Sequence, residues 1–314
     1  MRMNRVAAID CGTNSIRLLI AEPAGDGTLV DVAREMRIVR LGQGVDRTGR
    51  LAPEAIARTR EALVDYAQLI DEHGASAVRM VATSATRDAA NRDEFTTMVH
   101  RVLGAEPEVI TGAEEAALSF AGAVAGLPGA ASPVLVADIG GGSTELVLCN
   151  GELAAHSMDI GCVRMTERHL RADPPSKAQI AATVADVRAA IEVAARDVPI
   201  AQAATFVGVA GTVTTLAAIV HGMPSYDPAA IHGSTMTAAE VADVTARVLA
   251  MTHEQRAALP VMHPGRVDVI GGGALILREL VAAAGVSSVV ASEHDILDGI
   301  AAGLSAGSAS RVHR

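Results

Sequence analysis

Tryptophan is absent from this 314-residue chain, and Phe and Tyr together make up only 2% of it. So thin an aromatic content removes the stacking platforms on which single-stranded nucleic acid is usually held, and it leaves Ala, Val, Leu and Ile to fill the cores. Lysine is almost missing too: Lys177 stands alone, and arginine supplies the rest of the 26 basic side chains. Arginine suits bidentate contacts to phosphate. Against 36 acidic residues, however, the formal net charge is −10, which argues against general nucleic-acid binding and leaves room for a local basic site. The three cysteines, Cys11, Cys149 and Cys162, have neither the pairing of a disulfide frame nor the spacing of a zinc site. A membrane span is not expected: Ala116–Ala137 carries no charge, but Pro128, Gly129, Ser132 and Pro133 interrupt it. Asp10 breaks the first apolar run, so no cleavable signal is visible and a cytoplasmic protein is expected.

What is present is a phrase written twice. Val6–Ile20 runs VAAIDCGTNSIRLLI, and Val134–Leu148 runs VLVADIGGGSTELVL. Aligned on Asp10 and Asp138, Gly12 matches Gly140, Ser15 matches Ser143 and Leu18 matches Leu146, at a constant offset of 128. A period of that length means duplicated halves rather than a solenoid. In a P-loop or dinucleotide-binding protein the glycine turn leads from strand to helix. Here a second apolar, β-prone run follows each turn, Ile16–Ala21 and Glu145–Cys149, so each reads as a hairpin. A third strand is expected after Pro23–Gly27 in the first half and after Asn150-Gly151 in the second. Such a turn exposes backbone N–H groups in a concave nest that holds an anion. Two facing Asp-x-Gly turns suggest a cleft with a phosphate between them.

The rest of the first half alternates. Helices are expected over Pro53–Asp71, Asp93–Leu103 and Glu114–Val124, and strands over Ala77–Thr83 and Glu108–Ile110, in the order βββαβαβα. The second half repeats three strands, then places helices near Val163–Leu170 and Lys177–Arg196 before a strand at Ala204–Val209. Beyond it the pattern reads as mostly helical: Ala238–Met251, Gly273–Ala284 and a last helix from about Ile296. Alternation of this kind predicts an α/β protein, and the length is sufficient for two domains with separate cores.

Together these features resemble the exopolyphosphatase / guanosine pentaphosphate phosphohydrolase (Ppx/GppA) family, a branch of the actin, Hsp70 and sugar-kinase superfamily. The resemblance runs from about Val6 to Leu304. Its marks are Asp10-Cys-Gly-Thr-Asn-Ser15, Thr83-Ser-Ala-Thr-Arg87, Ile110-Thr-Gly-Ala-Glu-Glu-Ala116, Asp138-Ile-Gly-Gly-Gly-Ser-Thr-Glu145 and Gly208-Val-Ala-Gly-Thr212. It implies two actin-like (ribonuclease H-like) domains with duplicated βββαβα cores and an interdomain cleft. The boundaries expected are 1–124, with a C-terminal helix of about 296–314 packing back on it, and 125–295. Longer family members carry an added C-terminal domain with a metal-phosphohydrolase signature. His294-Asp295 has no companions at the spacing of such a site, so it is expected to lead into the last helix of a short, two-domain form.

Each element takes a physical role beside its bland one. Cleaving a phosphoanhydride needs an in-line water, neutralised charge and a held leaving group. Gly140, Gly141, Gly142 and Ser143 read as a phosphate cradle better than as an ordinary tight turn. The resemblance adds Gly12, Thr13, Asn14, Ser15, Gly211 and Thr212 as phosphate-binding. Asp10, Asp138 and Glu145 form a set suited to Mg²⁺ (or Mn²⁺), which takes one or two carboxylates plus waters and phosphate oxygens. Singly, Asp138 or Glu145 could be a turn former or a solvated strand residue. Glu114 and Glu115 sit where acidic residues commonly meet a helix N-terminus. The residue types leave Glu115 evenly divided between that role and a general base, and the resemblance implies that Glu115 activates the water. Arg87 reads either as a phosphate clamp or as a surface cation paired with Asp88 or Asp93, and the resemblance favours the clamp. Arg17, Arg40 and Arg164 are candidates for a basic track along a longer substrate. As lone glycine clusters, Gly208–Thr212 and Gly271–Gly273 carry little weight by themselves.

The function expected is metal-dependent release of terminal orthophosphate from inorganic polyphosphate, with pppGpp 5′-phosphohydrolase or nucleoside triphosphate phosphatase as alternatives of the same chemistry. An ATP-dependent kinase of the shared fold is disfavoured, because a water-activating Glu115 would waste ATP. A non-catalytic actin-like scaffold is disfavoured by the lack of a long insertion or charged tail. Partners expected are the phosphate-chain substrate, no nucleic acid and no membrane, with a homodimer left open.

Overall fold

A computed structural model describes residues 5–24, 28–127 and 129–307. The chain divides into two compact units, Met1–Gly122 with Ile296–Arg314, and Ala123–Asp295.

The first unit is built on five strands: β1 (Val6–Cys11), β2 (Ser15–Pro23), β3 (Leu29–Ile38), β4 (Ala77–Ala82) and β5 (Glu108–Val109). Their order in the sheet is β3-β2-β1-β4-β5, with β1–β2 and β2–β3 antiparallel and β4 and β5 added in parallel. Strand side chains alternate between faces, and β1 buries both. Ala7, Ile9 and Cys11 join one cluster with Leu63, Tyr66, Phe95 and Val99, while Val6 and Ala8 join another with Ile296, Leu297, Ile300 and Leu304. The first cluster sits under helices Pro53–His73 and Arg92–Leu103, the second under helix Ile296–Ser305. Proline opens helix Pro53–His73 and Gly74, at φ 65, closes it, as the sequence pattern predicts. Tyr66 is fully buried, and its hydroxyl donates to the Ile16 carbonyl at 3.0 Å, which satisfies the one polar atom it carries inward.

The second unit carries β6 (Val134–Ile139), β7 (Thr144–Asn150), β8 (Glu152–Met158), β9 (Thr205–Val209), β10 (Thr235–Thr237) and β11 (Ser288–Ala291), ordered β10-β11-β9-β6-β7-β8. The β6–β7–β8 meander repeats β1–β2–β3, and β9 lies parallel to β6 as β4 does to β1. A single apolar cluster gathers Leu135, Leu146, Phe206, Leu216, Ile276 and Val289. Ser176, Thr237 and Thr252 each cap a helix through a reciprocal box with the Gln or Glu three residues on.

The α/β architecture and the duplicated hairpins match the sequence reading, and two features depart from it. The stretch that reads as mostly helical contains β10 and β11, which are only three and four residues long and give no periodicity to read. Two short helices, Val45–Thr48 and Ser84–Asp88, also escape the pattern; the first is one turn set between Gly44 and Gly49, both left-handed. Part of the expected Pro23–Gly27 turn, Pro128 and the stretch 308–314 of the expected last helix lie outside the described residues. Among the described residues no helix is long and apolar enough to cross a membrane.

Gly299, in helix Ile296–Ser305, lies directly against the Leu118 carbonyl of helix Gly112–Ala125, and a β-carbon there would strike backbone that cannot rotate aside. Gly299→Ala is therefore expected to lower the unfolding free energy by about 1–3 kcal/mol, the usual cost of overpacking, read as a lower urea midpoint. An unchanged midpoint would show that the two helices slide apart freely.

Candidate active site

Between β6 and β7 the chain passes through Gly140, Gly141, Gly142 and Ser143, and every carbonyl of the three glycines is taken from behind. Helix Cys162–His169 supplies the donors: Cys162 N to Gly140 O at 2.9 Å, and Val163 N and Arg164 N to Gly141 O at 2.9 and 3.1 Å. The Arg164 side chain completes the set, its Nε donating to Gly142 O at 2.7 Å. In a trans peptide the carbonyl and the following N–H point in opposite directions. The N–H groups of Gly141, Gly142 and Ser143 are therefore turned away from the helix as three consecutive donors, the arrangement that binds an anion. Gly161 makes the approach possible, since a β-carbon there would collide with the Gly141 carbonyl group.

The first unit builds the equivalent turn with a different support. Asn14 O accepts from Val39 N and Arg40 N at 3.0 and 2.8 Å, and Thr13 O accepts from Gly42 N at 2.8 Å. The N–H groups of Asn14 and Ser15 consequently face away from that loop. Arg40 adopts φ 49, a left-handed conformation costly for a side chain of its size, and Gly42 has no room for a β-carbon beside Thr13. The Thr13 hydroxyl is buried with no hydrogen-bond partner, and a buried hydroxyl without one carries a desolvation cost that a ligand oxygen would relieve.

The strand ends diverge between the halves. Asp10 lies opposite Arg17, which donates Nη2 and Nε to Asp10 Oδ2 at 2.7 and 3.1 Å. At the same register in the second unit, Asp138 lies opposite Glu145. Both carboxylates are buried, and Glu145 Oε1 accepts from the Ser157 hydroxyl at 2.7 Å. A divalent cation takes one or two carboxylates, with waters and phosphate oxygens completing its shell, and Asp138 and Glu145 are the residues of this register that could supply them. No cluster of three or more His, Cys, Asp or Glu arranged to hold a metal occurs among the described residues.

Arg87 and Glu115 meet in the first unit. Arg87 follows β4 on helix Ser84–Asp88, and its Nη1 donates to Glu115 Oε2 at 3.0 Å and to Ile110 O at 3.1 Å. Glu115 is buried in the first turn of helix Gly112–Ala125. Its neighbour Glu114 serves instead as half of a helix cap. Glu114 Oε2 accepts from Thr111 N and Oγ1 at 2.8 and 2.9 Å, while Thr111 Oγ1 accepts from Glu114 N at 3.2 Å. These bonds, the backbone one foremost, hold the Glu114 carboxyl below the usual glutamate range.

The remaining glycine motifs have packing reasons. Gly208 would bring a β-carbon to 2.8 Å from Val213, and Gly273 and Gly272 let Thr212 and Thr166 close onto helix Ile270–Ala284. Ala210 takes φ 69 where β9 turns into helix Ala210–Val220. The Arg266 guanidinium covers Gly211, donates to Thr215 Oγ1 at 3.0 Å and lies 5.8 Å from the centre of the Tyr226 ring. Burial pushes the nearby Cys162 thiol up to about 11, against the pull of Thr212 and Arg266. Sequence reasoning misses Arg266, Gly161 and Gly42, because their signal is spatial closeness to a turn far away in the chain. His294 stacks on His232 with ring centroids 4.5 Å apart.

Residues 19–304 match the Ppx/GppA phosphatase family. Exopolyphosphatase 2 of Mycobacterium tuberculosis is 57% identical over 97% of this chain and 99% of its own length. The crystal structure of an exopolyphosphatase-like protein is 45% identical, with a TM-score of 0.91 over 96% of this chain and 98% of its own. The structure of the Aquifex aeolicus PPX-GPPA enzyme is 32% identical, with a TM-score of 0.80 over 96% of this chain and 99% of its own.

Glu114→Ala removes one side of the helix cap and is expected to cost about 0.5–1.5 kcal/mol of stability. Because the folded pKa is depressed, the carboxylate's contribution is present above the unfolded value of about 4.3 and is lost as pH falls through the folded one. The wild-type advantage in urea unfolding should thus be largest at neutral pH and shrink in acid; a difference independent of pH would contradict the charge-assisted cap.

Proposed function

The chain belongs to the Ppx/GppA phosphatase family, and from that premise we propose that it is an exopolyphosphatase, releasing terminal orthophosphate from inorganic polyphosphate with water as the acceptor. The observation that carries this reading is the row of N–H donors at Gly141–Ser143, a receptor for a phosphate that needs no nucleoside. The orphan Thr13 hydroxyl supports it from the first unit, with Gly12, Asn14 and Ser15 beside it.

Glu115 takes the role of general base. It orients a water and accepts its proton as the water oxygen bonds to the terminal phosphorus; the bridging P–O bond breaks and the shortened chain leaves with that bond's electron pair. Arg87, bonded to Glu115 Oε2, fixes the direction in which the carboxylate faces. The Gly140–Ser143 nest, with the Ser143 hydroxyl, neutralises charge on the phosphate oxygens as it shifts in the transition state. Gly211 and Thr212 extend phosphate binding in the second unit. Asp138 and Glu145 would hold Mg²⁺ (or Mn²⁺), which supplies further charge neutralisation on phosphate oxygens when bound. Asp10, held by Arg17, is the weakest ligand of the three carboxylates. Other molecules ending in the same anhydride, such as pppGpp, present the same reacting group and differ only in what trails behind it.

Phosphate release from long polyphosphate, tripolyphosphate, pppGpp and ATP, with Mg²⁺ and with chelator, tests the reading. Wild type should favour polyphosphate and need the metal, and Glu115→Gln should fall by about a hundredfold or more, the usual scale for a lost general base. No release from any of the four by folded protein would overturn it.

A further inference from the structure

Three peptide planes make the nest, and they are not held alike. The Gly140–Gly141 and Gly141–Gly142 planes are fixed by main-chain N–H groups of helix Cys162–His169, donors that no substitution short of proline removes. The Gly142–Ser143 plane is fixed by a side chain, through Arg164 Nε on Gly142 O at 2.7 Å. Glycine on its N-terminal side gives that plane unusual freedom to rotate. A flip would turn a carbonyl oxygen toward the bound anion and take the Ser143 N–H away, replacing attraction by repulsion.

We infer that Arg164 is a positioning residue for the phosphate cradle, holding the Gly142–Ser143 peptide so that the Ser143 N–H faces the terminal phosphate. This rests on the cradle reading above, and it differs from the role of cation in a basic track that the sequence suggests. A track cation meets internal phosphates, so its loss weakens long chains more than short ones. A residue that aims the cradle acts on the terminal group, which every substrate shares with the product. The guanidinium suits this role because its Nε–H lies in a rigid plane and its charge strengthens the bond to the carbonyl. Gly161, one residue before the helix, allows no β-carbon between the helix and the turn, so the Arg164 backbone is set at the distance its side chain needs.

The test uses Arg164→Met, which keeps the stem and removes the donor, with Arg164→Lys as the second variant should the first fail to fold. Two quantities are measured on protein with an unchanged melting temperature: orthophosphate affinity by calorimetry, and kcat/KM on tripolyphosphate and on long polyphosphate. Loss of a charge-assisted hydrogen bond corresponds to about tenfold or more. The expectation is that loss in orthophosphate affinity, with a matching and chain-length-independent fall in kcat/KM. A fall confined to long chains, or orthophosphate binding equal to wild type, would overturn the inference while leaving the hydrolase intact. Arg164-dependent orthophosphate binding in a wild type that releases no phosphate would support the inference and sink the hydrolase. A wild type that binds no orthophosphate would sink the cradle and the inference together.

Discussion

A peptide plane cannot present its oxygen and its hydrogen to the same side, and the structure turns on that restriction. To offer N–H groups to an anion, a tight turn must hide its carbonyls, and buried carbonyls need donors of their own. Each half supplies them from the segment that follows its third strand. In the first half this is the loop at 39–42, and in the second it is helix Cys162–His169. Each support carries a glycine where it touches the turn, Gly42 and Gly161, because a side chain would hold the donors too far off. The third strand of each repeat thus does more than widen the sheet: it delivers the chain to the back of the turn.

The duplication also shows how one scaffold has been given two electrostatic characters. The strand position facing the aspartate is Arg17 in one half and Glu145 in the other, at matched register. In the first half a buried carboxylate is answered by a guanidinium on the neighbouring strand, which leaves a tied-off pair. In the second, two carboxylates face one another across β6 and β7, and Glu145 Oε1 accepts from the Ser157 hydroxyl. Both arrangements are buried, and burying a charge is tolerable only with a partner; the halves differ in the residue that the facing strand sets at this register.

Much of this is legible in the sequence, and the reason is local. Asp-x-Gly turns flanked by apolar runs fix a hairpin within about fifteen residues, and two copies 128 residues apart fix the duplication. Helix Pro53–His73 announces itself by a starting proline and a closing glycine. The short strands β10 and β11 carry no such punctuation and exist only through pairing with each other and with β9. Site chemistry divides in the same way. The Asp-x-Gly turns and their flanking carboxylates can be named from spacing and Glu115 from the family resemblance, whereas the contact of Arg87 with Glu115 joins residues 28 apart, and the Arg266 guanidinium reaches Gly211 from far along the chain. From sequence, Arg87 reads as a clamp on phosphate or a surface ion pair. In the first unit its Nη1 donates to Glu115 Oε2 and to the Ile110 carbonyl, contacts that the sequence does not announce.

We propose that the row of amide donors at Gly141, Gly142 and Ser143 receives the terminal phosphate. Titrating ¹⁵N-labelled protein with orthophosphate, and following these three amides by NMR, tests it most directly. All three should shift together with a common saturation curve, while the amides of Cys162, Val163 and Arg164, already committed to the turn's carbonyls, move far less. Saturable phosphate binding that leaves the three turn amides unmoved would place the anion elsewhere and contradict the account.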